Sequence, residues 1–294
     1  MSRARSDSPA HQGVKRMSLY TAGAAGILTP EQIGALVVRP LIEQSVAAQV
    51  STVVQTGSHD FRVPVVSADP TAAWTAEGQE IAASDPTIGE VVVTPKKLAG
   101  LTVVSNELAS DSSPAALQIV GEGLVRDLRR KIDSAYWASA TPTNGPAGVG
   151  VLSGVSTVDA GASFANMDWA AEAASLVEVA HSTLTAFVAH PDTALTLATI
   201  KEQTGSNKAL LGSDPTQPTA RTIAGVPLYT SPEVPANTVW GIATQHSIVV
   251  MRQDPTVVVD SSAFFTSDRV AVRATLRVGF AFPHPAALVK VTTS

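Results

Sequence analysis

The feature that most constrains the fold is a long amphipathic stretch, residues 113–138. Its apolar side chains recur every three or four residues, which places them on one face of a helix. These side chains are Leu117, Val120, Leu124, Leu128, Ile132 and Tyr136. Ser113 is suited to cap the first turn, and Pro114 fits the first helical position because its missing N–H has no partner there. The spacing therefore predicts one helix of about 25 residues, roughly 37 Å long.

The two halves of this helix differ in charge and in backbone freedom. The basic side chains of its second half are Arg126, Arg129, Arg130 and Lys131. Two glycines, Gly121 and Gly123, lie in the first half, and each costs about 1 kcal/mol of helix stability relative to alanine. The helix is therefore expected to be softest near its first third.

The chain is sparsely charged for its size. Of its 294 residues, 45% are hydrophobic and 15% are charged, against about a quarter in typical domains. One interpretation is that copies of the chain cover much of each other's surface; an alanine-rich, GC-rich coding sequence would give the same composition. The net charge of −5 lacks the clustered basic footprint of a dedicated nucleic-acid binder.

Composition also limits the chemistry and the compartment. The chain has no cysteine, which excludes disulfides, thiolate metal sites and a cysteine nucleophile. No apolar run approaches the 18 residues of a membrane span, and the N-terminus lacks a signal-peptide core. We therefore expect a soluble protein, made in the cytoplasm and in contact with no membrane.

The N-terminal region divides into an arm and a helix. Residues 1–28 lack periodicity and predict a flexible, weakly cationic arm, for which a merely solvated terminus is the plainer interpretation. Residues 28–50 predict a helix that begins near Thr29 and is interrupted by Pro40. Two short alternating runs, STVVQT and DFRVPVV, then predict strands.

Residues 67–90 change in character. They hold two Asp-Pro pairs and two glycines, with no Lys or Arg, between β-prone flanks. Their five acidic residues are Asp69, Glu77, Glu80, Asp85 and Glu90. This pattern predicts a long hairpin that projects from the body and lies on another surface, because an isolated hairpin is marginally stable in water. A surface loop is the alternative.

The rest of the chain mixes strands and helices without βαβ repetition. Residues 141–154 predict a Gly/Pro-rich turn that ends in a short strand, and residues 192–205 predict a helix that ends at Gly205. A second helix is expected over residues 168–181, with strands at 185–191 and after residue 221. Near the C-terminus, residues 270–280 alternate strictly between apolar and polar, as in a half-buried strand. The predicted class is α+β.

Motifs of reaction chemistry are weak. The string GPAGVGVLSG lacks the Lys-Ser/Thr of a phosphate-binding loop, and Ser153 departs from the nucleophile-elbow pattern. Glu77 and Glu80 have nothing nearby to perturb their ionisation and are interpreted as solvated or partner-facing carboxylates. The histidines form no metal-ligand spacing; they are His11, His59, His181, His190, His246 and His284. No catalytic, metal or cofactor site is predicted.

The order of segments resembles the major capsid proteins of tailed bacteriophages, which share the Hong Kong 97-type shell fold with encapsulins and herpesvirus capsids. The resemblance covers the chain from about residue 20 to its end. It is carried by AGILTPEQIGALVVRPLIEQSVAAQV, AAWTAEGQEIAASDPTIGEVVVTPKKLAGLTVVSNELASDS, LVRDLRRKIDSAYW, FVAHPDTALTLATIKEQTG, IAGVPLYTSPEVP and RVAVRATLRVGFAF.

The resemblance implies a division of the chain. The N-terminal arm and the helix after it would occupy residues 1–58, and an extended β-hairpin loop residues 59–100. A peripheral domain with the long spine helix would comprise residues 101–148 and 262–294, and an axial domain residues 149–261.

The resemblance also implies a non-enzymatic, self-assembling subunit. Pentamers and hexamers would close an icosahedral head around double-stranded phage DNA, with a scaffold, a portal and decoration proteins as further partners. Its place would be the virion, after synthesis and assembly in the host bacterial cytoplasm. An encapsulin-type nanocompartment is the alternative within the fold, and an unrecognised hydrolase the alternative outside it.

Two hypotheses about specific residues follow. The hairpin, through Trp74, Glu77 and Glu80, is expected to dock on a neighbour's basic helix half at Arg126, Arg129 and Arg130. Gly121 and Gly123 are expected to be the hinge at which the spine helix bends in a precursor shell and straightens on expansion.

Overall fold

The computed structural model describes residues 44–68, 70–105, 115–203, 206, 210–211, 221–252 and 256–293. The predicted arm, the start of the helix predicted over residues 28–50, the Ser113–Pro114 cap and the stop at Gly205 lie outside these residues.

The described residues form four α-helices and thirteen strands. The helices are α1 (Val46–Gln49), α2 (Ala115–Trp137), α3 (Asp168–Val179) and α4 (Pro191–Thr199). The strands are β1 (Thr52–Thr56), β2 (Phe61–Ala68), β3 (Thr87–Val93), β4 (Lys96–Ser105), β5 (Ser156–Asp159), β6 (Ala186–Ala189), β7 (Thr222–Ile223), β8 (Val226–Thr230), β9 (Thr238–Ile242), β10 (Ile248–Arg252), β11 (Thr256–Phe264), β12 (Arg269–Ala281) and β13 (Val289–Thr292). This composition confirms the predicted α+β class.

The first sheet is built around β12. This strand pairs antiparallel with β4 along most of its length, with β11 beside its first half and with β10 at its end. The parallel strand β1 extends the sheet beyond β10. The predicted alternation is confirmed, since Val270, Val272, Ala274, Leu276 and Val278 are buried.

Helix α2 covers the apolar side of this sheet, as its periodicity predicts. Leu128, Ile132 and Tyr136 are buried, and Leu124 packs beside them. Gly100 of β4 brings the helix close, because a Cβ atom there would lie 3.3 Å from Cγ of Leu124. The predicted apolar face is therefore confirmed over its described side chains.

The second sheet has the order β5-β13-β9-β6-β8-β7. Strands β5 and β13 are parallel, as are β6 and β8, and the other pairs are antiparallel. Helices α3 and α4 supply Trp169, Val177 and Leu197 to the core on one side, where they join Phe187 and Val289. The other side shares its core with the first sheet.

This shared core joins the two sheets to the end of α2. It contains Trp137 of α2, Val188 and Trp240 of the second sheet, and Val249 and Val272 of the first. A buried hydroxyl network lies beside it, in which Tyr136, Ser51 and Ser247 contact one another at 2.5–3.2 Å. Burial raises the pKa of Tyr136 to about 12, so the phenol stays protonated at neutral pH.

Two local predictions need correction. Residues 149–151 form a 3₁₀ turn, and the strand begins only at Ser156. Gly148 and Gly150 press against the end of α2, where a Cβ atom would meet backbone oxygens at 2.2 Å, so this segment contacts a helix end instead of pairing in a sheet. Helix α4 ends at Thr199, because Ile200 becomes extended (ψ 130°) and packs against the second core.

Candidate assembly surfaces

Strands β2 and β3 form the long hairpin predicted from the acidic segment. They pair antiparallel from Phe61 opposite Val93 to Ala68 opposite Thr87. Because side chains alternate between faces, one face packs on the body through Phe61, Val63 and Val91, and the other is open. The exposed apolar side chains of the open face are Val66, Ile88 and Val92.

The open face carries an ion pair between its two strands. Nη1 of Arg62 lies 3.0 Å from Oε1 of Glu90, and both side chains are at least half exposed. Exposed pairs of this kind contribute about 0 to 1 kcal/mol. The pair therefore adds little to the stability of the hairpin. The three exposed apolar side chains remain beside it on the same face.

The hairpin tip, residues 70–86, contains no strand and is exposed to solvent. Ser84 ties it to the backbone of Thr71 through bonds of 2.9 and 3.2 Å, and Gly78 makes the turn with a φ of +81°. Trp74 is fully exposed, at 107%, and Ile81 is 79% exposed. The carboxylates of Glu77 and Glu80 are exposed too. Among the residues that the structure describes, none covers the side chains of Trp74 and Ile81.

A hydrogen bond closes the base of the hairpin, and close packing holds that base against the body. Oγ1 of Thr94 donates to Oδ1 of Asp60 at 2.6 Å, and this bond, with His59 and Arg62 nearby, lowers the pKa of Asp60. A Cβ atom on Gly279 would lie 2.5 Å from Cγ1 of Val93. A glycine at this position of β12 is therefore required for the close contact with Val93 of the hairpin.

The basic half of α2 is partly engaged within its own chain. Nε of Arg130 lies 3.4 Å from a carboxylate oxygen of Glu233, and Nη1 of Arg129 lies 3.5 Å from Oε1 of Gln44. Arg126 is exposed. Of the three arginines predicted to receive the hairpin, the structure thus leaves Arg126 most open, and it does not bring any of them to the tip of the same chain.

Asp133 on the same helix binds the segment at the start of α1. This buried carboxylate accepts from Oγ of Ser45 at 2.7 Å and from the backbone N–H of Ala47 at 3.0 Å. Burial raises its pKa, and the hydrogen bonds and Arg129 oppose that effect. Asp133 therefore caps the start of α1, and no local pattern indicated this contact with a residue 88 positions away in the chain.

The two glycines of the predicted hinge lie inside a continuous helix. A Cβ atom at Gly121 would meet nothing within 4 Å, and one at Gly123 would lie 3.7 Å from Nη2 of Arg126. Neither glycine is therefore required by close packing in this conformation.

The residues considered for catalysis do not form a site. Ser153 lies exposed in a turn. Within the described ranges, no three His, Asp or Glu side chains are grouped to hold a metal ion. His246 and His284 do meet, with ring centroids 5.2 Å apart, a contact that their spacing in the sequence did not indicate. None of the helices in those ranges has the length and hydropathy that crossing a bilayer requires.

Comparison with known proteins relates this architecture to phage shells. Solved structures with the same fold include the capsid of a native GTA particle, computed with C5 symmetry, at 20% identity and a TM-score of 0.70, covering 85% of this chain and 90% of that one. Proteins of Microbacterium phage Oxtober96 and Gordonia phage Cozz match at 17% and 19% identity with TM-scores of 0.71 and 0.69. These two comparisons cover 85% of this chain and 91% and 86% of the respective phage chains.

The family of the chain is shown by its sequence. No curated protein sequence matches the chain. The profile of the phage capsid family matches residues 25–293, which is nearly the whole chain. The chain therefore belongs to the phage capsid family, with the fold and function of a major capsid protein.

Proposed function

We propose that this chain is the subunit of an icosahedral phage head, in which pentamers and hexamers enclose double-stranded DNA. The observation that carries this proposal is the hairpin, whose tip exposes Trp74 and Ile81 without cover from the described part of its own chain. Apolar side chains presented on a projecting element mark an interaction site. A surrounding ring of identical subunits would cover every tip in the same way.

The proposed shell subunit has four parts. Residues 1–58 form an arm and a following helix, and residues 59–100 form the extended hairpin loop. Residues 101–148 and 262–294 form a peripheral domain with α2 as its spine, and residues 149–261 form an axial domain. A first sheet packed on α2 and a second sheet packed on α3 and α4 support two such domains, while β10, β11 and β13 pair across the proposed bounds.

The role is structural and not enzymatic, which family membership supports. A scaffold, a portal, decoration proteins and packaged DNA are the further partners that we propose, without a membrane. Synthesis and assembly in the host cytoplasm, followed by residence in the virion, complete the proposal.

Contact between neighbours is proposed to run through the acidic tip and a basic surface. Trp74, Glu77 and Glu80 provide the apolar and acidic groups. The sequence suggests the basic half of α2 as the acceptor, with Arg126, Arg129 and Arg130. Charge pairing of this kind sets register and partner choice more than affinity.

Electron microscopy of the purified recombinant protein after sedimentation tests the proposed function. Closed shells, or rings of five and six, are expected. Shells that hold a protein cargo and no nucleic acid would instead identify a nanocompartment. A monodisperse monomer that stays unassembled when co-expressed with the other head proteins of its phage would contradict the proposal.

A further inference from the structure

An exposed turn shortly after α2 carries a dipeptide with chemistry of its own. Asn144 in this turn is exposed, has a φ of 59° and is followed by Gly145. The N–H of Gly145 donates to the carbonyl of Pro142 at 2.9 Å, and this bond closes the turn. The turn therefore presents an asparagine amide to solvent, directly before a glycine nitrogen.

The backbone of the turn favours both residues of this dipeptide. A positive φ is costly for most side chains, and asparagine tolerates it better than nearly all others. A Cβ atom on Gly145 would lie 2.9 Å from Cβ of Pro142, so a side chain there would force the turn to shift. Asn144 and Gly145 are thus adjacent for conformational reasons, whatever their reactivity.

Two other exposed asparagines in the described ranges lack this combination. The side-chain amide of Asn144 forms no hydrogen bond with a described residue. Asn166, by contrast, donates from Nδ2 to a carboxylate oxygen of Asp168 at 2.5 Å and accepts from its N–H at 3.3 Å. Asn237 has nearly the same φ as Asn144, 58°, but Thr238 follows it. Of these three, Asn144 combines a free amide with a following glycine.

We infer that Asn144 is a site of spontaneous deamidation. The backbone nitrogen of Gly145 loses its proton to hydroxide and attacks Cγ of Asn144. A C–N bond forms, and the side-chain nitrogen takes a proton from water and leaves as ammonia, so that a five-membered succinimide remains. Water then opens this ring at one of its two carbonyls, which gives aspartate or isoaspartate. Water is the only co-reactant, and no enzyme is needed.

The residue after the asparagine governs the rate because its nitrogen is the nucleophile. Glycine has no Cβ to block the approach, and it reaches more backbone conformations than any other residue. Thr238, which follows Asn237, is β-branched and therefore stiff, and it is buried in β9. Attack on Asn144 therefore has a lower barrier than attack on Asn237.

The folded turn slows the reaction without preventing it. The bond to Pro142 engages the N–H of Gly145, so the turn must open before the nitrogen can attack. One backbone hydrogen bond adds little net stability at an exposed site, since water competes for both groups. Exposed turns also open locally far more often than the core does. The reaction therefore proceeds through the opened turn.

The product changes a closely packed part of the chain. Each conversion adds a negative charge to the subunit, and isoaspartate also adds a carbon atom to its backbone. Gly148 nearby packs so tightly that a Cβ atom would lie 2.2 Å from the carbonyl oxygens of Ala135 and Tyr136. The backbone has little room to shift at this point, so isoaspartate is expected to disturb the contact with the end of α2.

Mass spectrometry of the purified full chain tests the inference. The protein is incubated at mildly alkaline pH and physiological temperature, then digested at acidic pH, where the reaction is slow. The peptide with Asn144 should exchange amide for acid roughly tenfold or more faster than those with Asn166 or Asn237, the ratio that a barrier lower by about 1.4 kcal/mol gives. Its rate should rise with pH, because the nucleophile is the deprotonated nitrogen.

Asn144→Gln is the matched variant. It keeps an amide but adds a methylene group, so that attack by Gly145 would have to close a six-membered ring, and its peptide should stay unmodified over the same period. Equal rates at Asn144 and Asn237, or the same gain in mass in Asn144→Gln, would overturn the inference. Neither result bears on the proposed function, because assembly into shells is measured separately.

Discussion

The histidine pair at the junction of the two sheets is a contact that depends on pH. Nε2 of His284 donates to the carbonyl of Ala180 at 3.2 Å, because a carbonyl can only accept. Nε2 of His246 lies 3.1 Å from Nε2 of Gln245, an amide donor. His246 must therefore be neutral to accept this bond. Protonating it would break the bond and place a charge beside His284.

We predict that this contact makes the subunit less stable in mild acid. Burial, and then His284, hold the pKa of His246 below its ordinary value of 6.5. Between the lowered folded value and about 6.5, the unfolded chain binds a proton that the folded chain does not, so stability falls as pH falls through this range. His246→Gln should flatten that slope when the free energy of unfolding is measured from pH 7.5 down to 5.

A matched variant checks the cause. Gln79 is exposed on the hairpin tip, so Gln79→Ala, which removes no titratable group, should keep the wild-type slope. An unchanged slope in His246→Gln would show that other groups carry the acid sensitivity.

At the level of elements, the packing of the hairpin base against β12 requires a glycine at position 279. We predict that Gly279→Ala destabilises the subunit by about 1–3 kcal/mol, because the added methyl group overpacks the contact with Val93. Val93→Ala removes the opposing methyl groups, so the double variant should lose less than the sum of the two single variants. Strict additivity in the measured free energies of unfolding would contradict this packing argument.

This contact marks the limit of what the sequence predicts. The alternation around Gly279 predicted a half-buried strand, and β12 confirms it. Nothing in that pattern indicated that Val93, far away in the chain, sits above the glycine. The same holds for the Asp133 cap and the histidine pair, since each depends on tertiary neighbours. Local periodicity sets helices and strands, whereas contacts between distant segments decide which side chains form a site.

The predicted hinge in α2 can be tested by substitution of its two glycines. Replacing Gly121 and Gly123 with alanine should raise the free energy of unfolding by about 2 kcal/mol, since each glycine costs about 1 kcal/mol in a helix and both positions have room for a methyl group. A straighter helix should also bias shells toward the expanded form, as measured by shell diameter. Ser134→Ala is the matched control without a glycine, and unchanged expansion in the double variant would rule out the hinge.

At the scale of the whole molecule, the two sheets share one core with α2, in addition to the second core that the second sheet forms with α3 and α4. Chains of this length commonly unfold through intermediates, and two separate sheets would favour such behaviour. Here, however, Trp137 and Trp240 pack with their ring centroids 6.3 Å apart, one from α2 and the other from the second sheet. The first sheet adds Val249 and Val272 to the same cluster. Neither sheet can unfold without exposing the core of the other.

We therefore predict that the unassembled subunit unfolds in one cooperative transition. Trp169 belongs to the second core and Trp74 is already in solvent, so in Trp169→Phe the fluorescence change reports on the shared core alone. Far-UV circular dichroism of the same variant reports on all helices and strands together. The two midpoints in denaturant should coincide, because the shared core couples both sheets. A dichroism change that precedes the fluorescence change would mean that secondary structure outside the shared core unfolds first, and it would contradict a single cooperative transition.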